Sequence, residues 1–406
     1  MKMTLMVKVP AFGYVDEYWV ADSDGMTSRS ARAAASGPYR STVPPAIGGW
    51  VWSVPADLSA NVEEATAALS RFDEYAAKVL GTTSPTLGPM SSILLRTESA
   101  SSSQIEDLTV GPRQLALAEI EQSTSANART VVANVRAMEA ALALADRLDT
   151  DAILEMDRAL LSGQRGWEDH AGRWRDQLVW IGTSAISPRG ASHVAPQAPL
   201  VPDAMEDLVA FLRRDDLPVL FQAAVAHAHF ETVHPFVDGN GRTGRAMVHS
   251  VLRAKGILTA TTAPVSAGLL TQIEQYFAAL TAYRDGDARP IVERFADAAR
   301  FAASSGSRLV DDLAAQIDVA REHLRGLRRQ AVAWRVVPHL VSHPVVNARF
   351  LSDHLGMKGQ TAQNALAQLA DAGVLVERTG LRRNRVWEHP GVLTVLDQYA
   401  RSLLRR

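Results

Sequence analysis

Apolar residues recur at three- and four-residue intervals along most of the chain, the spacing that gives an α-helix one buried stripe. Val62, Ala65, Leu69 and Phe72 set this rhythm in a helix that starts near Pro55 and runs through "VEEATAALSRFDEYAAKVL". Gly81 to Gly88 ("GTTSPTLG") breaks it, and "SSILLRTESASSSQIEDL" resumes it until Gly111-Pro112. The pattern predicts further helices over 126–147, 151–162, Pro202–Arg214, Leu217–Glu231, "GRAMVHSVLRAKG", 266–283 and 290–304, then a long charged helix near 307–330. Alternation with period two is confined to Leu178–Ile181 and His193–Val194, which read as a small hairpin around a Ser-Pro-Arg-Gly turn. Residues 1 to about 55, rich in Ser, Ala, Gly and Pro, read as an irregular lead-in.

From about Ala331 the pattern changes. "VVPHLVSHP", "ARFLSDHLGM" and "KGQTAQNALAQLADAG" read as three short helices, the third with Leu366, Leu369 and Ala370 facing inward. "VLVERTGLRRNRVWEH" reads as two strands around Thr379-Gly380, completing the plan of a winged helix-turn-helix. The predicted fold class is therefore mainly α: a helical body with one small β-hairpin and a C-terminal winged helix-turn-helix domain. Lys358, Gln360 and Thr361 stand near the start of the candidate recognition helix, where they would reach base edges of double-stranded DNA. In the wing, Arg378, Arg382, Arg383 and Arg385 would meet phosphates. Modules of this plan also dock proteins, and the sequence leaves both partners open.

Composition changes the picture in one respect. The formal net charge is -2, yet Arg321 to Arg406 carries 14 Lys or Arg against 6 Asp or Glu, a basic tail on an acidic body. The chain has no cysteine, which excludes disulfides and Cys-ligated metals. It has no run of 18 apolar residues, so no membrane span is expected, and Lys8, Pro10, Asp16 and Glu17 argue against a secretion signal. These features predict a cytoplasmic protein of two or three domains. They leave self-association undecided.

The chemistry concentrates in "HPFVDGNGRTGR", His234 to Arg245. Gly239, Asn240 and Gly241 are able to turn successive N–H groups into one concavity, at the start of a helix expected near Arg242, where an anion is favoured. Arg242 and Arg245, three residues apart, share a helix face and suit phosphate oxygens. Asp238 is a hard oxygen ligand for Mg²⁺ on a nucleotide, and His234 suits proton removal from a hydroxyl. Phe236 between them is expected to point into the core. The set fits phosphoryl or nucleotidyl transfer. His227 and His229, two apart on a helix, point in different directions and are set aside as metal ligands.

This stretch resembles the signature of Fic-domain proteins, His-x-Phe-x-Asp/Glu-Gly-Asn-Gly-Arg-x-x-Arg, at every fixed position. "AHAHFETVHPF", "VWIG…VAPQAPLVPDAMEDL" and "YRSTVPPAIGGW" are similar to other parts of that family, over about residues 39–305. The resemblance implies transfer of AMP from ATP to a hydroxyl of a target protein, with Mg²⁺, although some members use other donors. It implies His234 as base, Asp238 on Mg²⁺, Gly239, Asn240 and Gly241 as the anion hole, and Arg242 and Arg245 on the triphosphate. Leu178, Val179, Trp180, Ile181 and Gly182 would form a flap that docks the target as an added strand. The implied organisation is a lead-in over 1–38 and an N-terminal Fic-associated region over 39–125. A catalytic core over 126–305, a connecting helix over 306–330 and the winged module over 331–406 follow.

Many members also carry an inhibitory helix with the pattern Ser/Thr-x-x-x-Glu-Gly/Asn. Ser102 and Glu106 match it, within a helix of about 91–110, and Asp107 replaces the usual Gly or Asn. Glu106 paired with Arg245 would occupy the guanidinium meant for the nucleotide and repel its charge. Asp107 is expected to loosen that helix end or alter the inhibition. A regulator that keeps the Fic core as a nucleotide sensor is the alternative reading.

Overall fold

The first departure from expectation is in the lead-in, whose described residues include two paired strands and a short helix. The computed structural model describes residues 6–21, 28–80, 87–162, 164, 166–182, 184–380 and 384–404. In chain order the elements are β1 (Gly13–Trp19), α1 (Arg29–Ala35), β2 (Gly37–Val43), α2 (Ala56–Leu80), α3 (Leu87–Ile105), α4 (Pro112–Glu119) and α5 (Ala126–Ala143). Next come α6 (Thr150–Leu161), β3 (Trp180–Ile181), β4 (His193–Val194), α7 (Val201–Leu212), α8 (Val219–Val233) and α9 (Asn240–Ala254). The chain continues through α10 (Val265–Leu270), α11 (Ile273–Arg284), α12 (Arg289–His323) and α13 (Ala333–Val336). It ends with β5 (Val345–Val346), α14 (Ala348–Leu355), α15 (Gln360–Asp371), β6 (Val376–Glu377), β7 (Trp387–Glu388) and α16 (Pro390–Leu404). The fold is mainly helical, as the apolar spacing predicts.

Two compact units divide the chain. The first comprises Met1–Glu64, Ala140–Lys255 and Glu274–Ala296. Its centre is α8, buried along nearly its whole length, including Phe221, Val225 and Phe230. Each such side chain contributes about 1.5–3 kcal/mol by leaving water. Helices α7 and α9 pack on α8, and α6 packs on α9. β1 and β2 pair antiparallel from Gly13↔Val43 to Trp19↔Gly37, and β3 pairs with β4 through Trp180↔Val194. Trp52 of "GWVW" packs between Phe211 and Phe221, a core role.

The second unit comprises Ala65–Glu139, Gly256–Ile273 and Asp297–Arg406. α3 packs on α10, and the buried carboxylate of Glu98 accepts the Ser266 N–H at 2.9 Å at the start of α10. Asp73 gathers the N–H groups of Thr259, Ala260 and Thr261 at 2.8–3.0 Å, which fixes that loop. The two helices expected around a break near 305 are one, α12, running through Gly306. A Cβ there would lie 2.8 Å from the Phe72 ring, so this glycine serves close packing and does not end the helix. The helix expected over 266–283 is two, α10 and α11, and Pro112 starts the unexpected α4. Near the C-terminus Asn347 caps α14 by accepting from Phe350 N–H at 2.7 Å, Gly356 closes it, and α15 buries Leu366 and Leu369. β5, β7 and β6 form a sheet in that order.

Candidate active site

α8 delivers His234. The residue is the C-cap of that helix, with its N–H donated to the Phe230 carbonyl at 2.8 Å and a left-handed backbone (φ 52°, ψ 61°). Left-handed non-glycine residues are strained, and such strain gathers at functional sites. The turn brings Nδ1 to 3.2 Å from the Glu231 carbonyl. A carbonyl only accepts, so Nδ1 is the donor in this contact and the ring is oriented by the turn.

Arg175, which sequence reasoning passed over, fixes this turn. Buried itself, it donates to the carbonyls of His234 (2.8 Å), Gln177 (2.8 Å) and Pro196 (2.5 Å), and its own N–H reaches Pro235 O at 3.0 Å. Burial lowers the guanidinium to about 10, still cationic, and the negative C-terminal end of α8 balances it. Asn240 closes the loop: its Oδ1 accepts Phe236 N–H at 2.8 Å and its Nδ2 donates to Phe236 O at 2.9 Å. Phe236 points into the core, as expected, against Trp174 at 5.2 Å.

Gly239 (φ 79°) is the N-cap of α9, and the helix begins at Asn240, two residues earlier than expected. Gly241 therefore lies in the first turn, where N–H groups have no helical partner and favour an anion. A Cβ on Gly239 would meet Leu160 Cδ2 at 2.5 Å. Arg242 donates Nη2 to Asp238 Oδ2 at 2.7 Å, while its Nε and Nη1 are buried without a partner, the condition of a guanidinium awaiting oxygens. Asp238 is 38% exposed. One partly exposed carboxylate beside a helix N-terminus suits Mg²⁺, which is commonly held by one or two carboxylates and the substrate's phosphates.

Two further groups complete the electrostatics. Asp157, fully buried on α6, accepts Gly172 N–H at 2.7 Å. Burial, and to a smaller degree the charge of Asp238, pushes it up to about 7. Arg245 lies 3.7 Å from Glu231. His227 is 3.7 Å from the same carboxylate, but burial holds its imidazole down to about 3, so it is neutral and bonds Tyr276 at 2.7 Å. His229 bonds Tyr283 instead, at 3.1 Å.

Residues 147–252 match the Fic/DOC family, and residues 59–143 match the Fic/DOC family N-terminal region. The chain carries a Fic domain. It is 33% identical over 150 residues to protein adenylyltransferase fic-1 of Caenorhabditis elegans, covering 36% of this chain and 26% of that protein. Against protein adenylyltransferase Fic of Nematostella vectensis it is 27% identical over 169 residues, covering 41% and 34%. It thus spans about a quarter to a third of the length of these curated relatives. A crystal structure of a Fic family protein from Desulfovibrio desulfuricans G20 shares the fold, with TM-score 0.52 and 23% identity over 84% of this chain and 97% of that one.

Around the Fic motif, the expected flap is short. Of its five residues, Trp180 and Ile181 form β3; Val179 O accepts Ala195 N–H at 3.1 Å, Leu178 precedes the pairing and Gly182 follows it. The ladder of β1 and β2 buttresses it. Trp19 packs on Trp180 at 5.4 Å and donates to Ile186 O at 2.9 Å, and Thr42 donates to Val194 O at 2.9 Å.

In the second unit, α3 ends at Ile105 with Glu106 exposed at its C-cap. Asp107 is left-handed (φ 59°); its N–H bonds Gln104 O and Leu108 N–H bonds Ser103 O, both at 3.0 Å, a Schellman closure. The left-handed requirement explains why Gly or Asn suits this position, and the end is closed despite Asp107. Ser102 is fully buried, and Asn134, not foreseen, donates to Ser99 O (2.8 Å) and Ser103 Oγ (3.1 Å).

Near the C-terminus Lys358, Gln360 and Thr361 are exposed. Arg385 lies over Trp387 at 4.8 Å and bonds Gln363, and Arg378 pairs with Glu388 at 3.3 Å. Arg382 and Arg383 lie outside the described residues.

Proposed function

We propose that the chain transfers AMP from ATP to a hydroxyl side chain of a target protein. The observation that carries this reading is the joint geometry of His234 and α9: an imidazole oriented by its Nδ1 contact to the Glu231 carbonyl, next to a helix start that favours phosphate. His234 takes the proton of the target hydroxyl, whose oxygen attacks the α-phosphorus. The bond from that phosphorus to the bridging oxygen breaks, and pyrophosphate leaves. The N–H groups opening α9 and the unpartnered nitrogens of Arg242 hold phosphate oxygens. Arg245 holds the end of the triphosphate. Asp238 would hold Mg²⁺, which neutralises phosphate charge when bound. Asn240 and Arg175 keep the loop from moving. The flap, braced by β1 and β2, pairs with an extended target segment. A base set this way favours the transferase over a sensor that only binds nucleotide.

Glu106 acts as a brake in this reading, by pairing with Arg245. Two acids at the negative end of α3 disfavour that helix end unless a cation answers them. ATP labelled on the α-phosphate should label protein, and ATP labelled on the γ-phosphate should not; the reverse pattern would make the chain a kinase and end the proposal.

A second reading concerns the C-terminal segment from Ala331. Helix, strand, two helices and a hairpin, with sheet order β5-β7-β6, support a winged helix-turn-helix. Exposed Lys358, Gln360 and Thr361 at the start of α15 fit duplex DNA. Binding of the full chain to duplex DNA that weakens with salt tests this, and salt-independent binding would argue for a protein partner.

A further inference from the structure

A helix leaves its last carbonyls without partners inside the helix. At the end of α8 they find partners from two directions. Within the turn, Phe230 O accepts the His234 N–H at 2.8 Å and Glu231 O faces His234 Nδ1 at 3.2 Å. From outside it, Arg175 donates to His234 O at 2.8 Å, and Thr232 O lies 2.8 Å from Nε2 of His193 in β4. A carbonyl only accepts, so Nε2 is the donor in this contact. His193 and Thr232 are 5% and 1% exposed, and the Thr232 hydroxyl donates elsewhere, to Ala228 O at 2.8 Å.

Both outside donors belong to the flap and its approach. Arg175 precedes β3 and also holds Gln177 O and Pro196 O, one on each side of the hairpin. His193 lies inside the ladder, directly opposite Ile181. Opposed residues of a strand pair share one face, so the bond to Thr232 O turns the Ile181 face of the flap toward the end of α8. A target strand added beside β3 would send alternate side chains to that face. Thr232 stands two residues before His234, so a tilt of β4 is passed to the turn that carries the base. Burial holds the His193 imidazole down to about 3, so it is neutral, and its loss removes no charge beside His234. What its loss changes is geometry.

We propose that His193 is a positioning residue for the transfer: its bond to Thr232 O joins the strand pair that receives the target and the turn that presents His234 into one rigid piece. This role rests on the transferase reading above. A displacement of about 1 Å in a catalytic group costs up to about a hundredfold in rate, so loss of this alignment is measurable at saturating ATP. The nucleotide contacts of that reading come from the start of α9, after the loop. The role therefore predicts a fall in kcat with KM for ATP unmoved.

The test uses the full chain carrying Glu106→Gly, with self-labelling from α-labelled ATP and Mg²⁺ as the readout. His193→Gln places an amide N–H where Nε2 stands, whereas His193→Asn is one methylene shorter and falls short of Thr232 O. His193→Asn should lower kcat about tenfold or more, His193→Gln should stay within about threefold of the parent, and KM for ATP should move less than about twofold in both. A parent-like rate in folded His193→Asn, equal losses in the two variants, or a loss carried by KM for ATP overturns the role. Proton–carbon spectra of the histidine rings give a second readout, with the His234 signal identified by its absence from His234→Ala. That signal should move in His193→Asn and return in His193→Gln; a signal unmoved in His193→Asn also overturns the role. If the Glu106→Gly parent takes no label, the transferase reading fails and the role with it, while the spectra still decide whether His193 sets the ring.

Discussion

Gly239→Ala tests the loop most sharply, because two separate costs are readable from the structure. The residue sits at φ 79°, where a Cβ costs about 1–2 kcal/mol in the backbone. The new methyl would also stand 2.5 Å from Cδ2 of Leu160, which is fully buried. Overpacking of this kind costs about 1–3 kcal/mol. The sum, about 2–5 kcal/mol, should appear in denaturant unfolding followed by tryptophan fluorescence. Leu160→Ala alone should cost about 2–5 kcal/mol as a cavity. The double variant should be less destabilised than the two added together, by the overpacking share of about 1–3 kcal/mol, since the missing Leu160 makes room for the methyl. Transfer should stay low in the double variant, because the left-handed turn that aims the α9 amides is still disfavoured. Additivity within about 0.5 kcal/mol would refute the crowding argument.

Other expectations follow from the same geometry. Asp157 has a folded-state pKa of about 7, above its ordinary 3.8, so the folded state binds that proton more tightly and stability is lost as pH rises from about 4 to 7. Asp157→Asn keeps an acceptor for Gly172 and removes the loss; it should stabilise the chain at pH 8, by an amount on the order of a few kcal/mol, and not at pH 4. Equal pH profiles would contradict this. Arg175→Met leaves at least three carbonyls without their donor and should cost about 3 kcal/mol or more by urea denaturation, while a loss below about 1 kcal/mol would show the clamp to be dispensable. Asp107→Gly should stabilise the α3 end by about 0.5–1 kcal/mol, seen as slower hydrogen exchange at Leu108, and Asp107→Ala should do the opposite.

The candidate site was legible where its demands are local. A left-handed glycine, a helix start and a histidine at a helix end all fall within His234–Arg245, so the geometry of this loop could be read from one short stretch. Residues that serve the site from elsewhere were not legible. Arg175 is one arginine among several in its loop, and only folding brings it beneath the His234 turn; Asp157 and Asn134 are likewise ordinary helix residues until α6 and α5 pack. The β1–β2 ladder escaped notice because most of β1 is exposed, and the buried positions of β2, Ser41 and Thr42, are polar and adjacent, so no apolar alternation marks the strands. Gly306 misled in the opposite sense, since a glycine selected for the approach of Phe72 looks like a helix breaker in one dimension. The α4 helix was hidden by Pro112, read as a stop when it also opens a helix.

ATP labelled at the α-phosphate is offered with Mg²⁺ to the wild type, to Glu106→Gly and to Glu106→Gly with His234→Ala, alone and in a cell lysate. Label in Glu106→Gly well above the wild type, and absent from the double variant, is the predicted result. Label that survives His234→Ala, or no label in any of the three, would contradict an AMP transferase with His234 as its base.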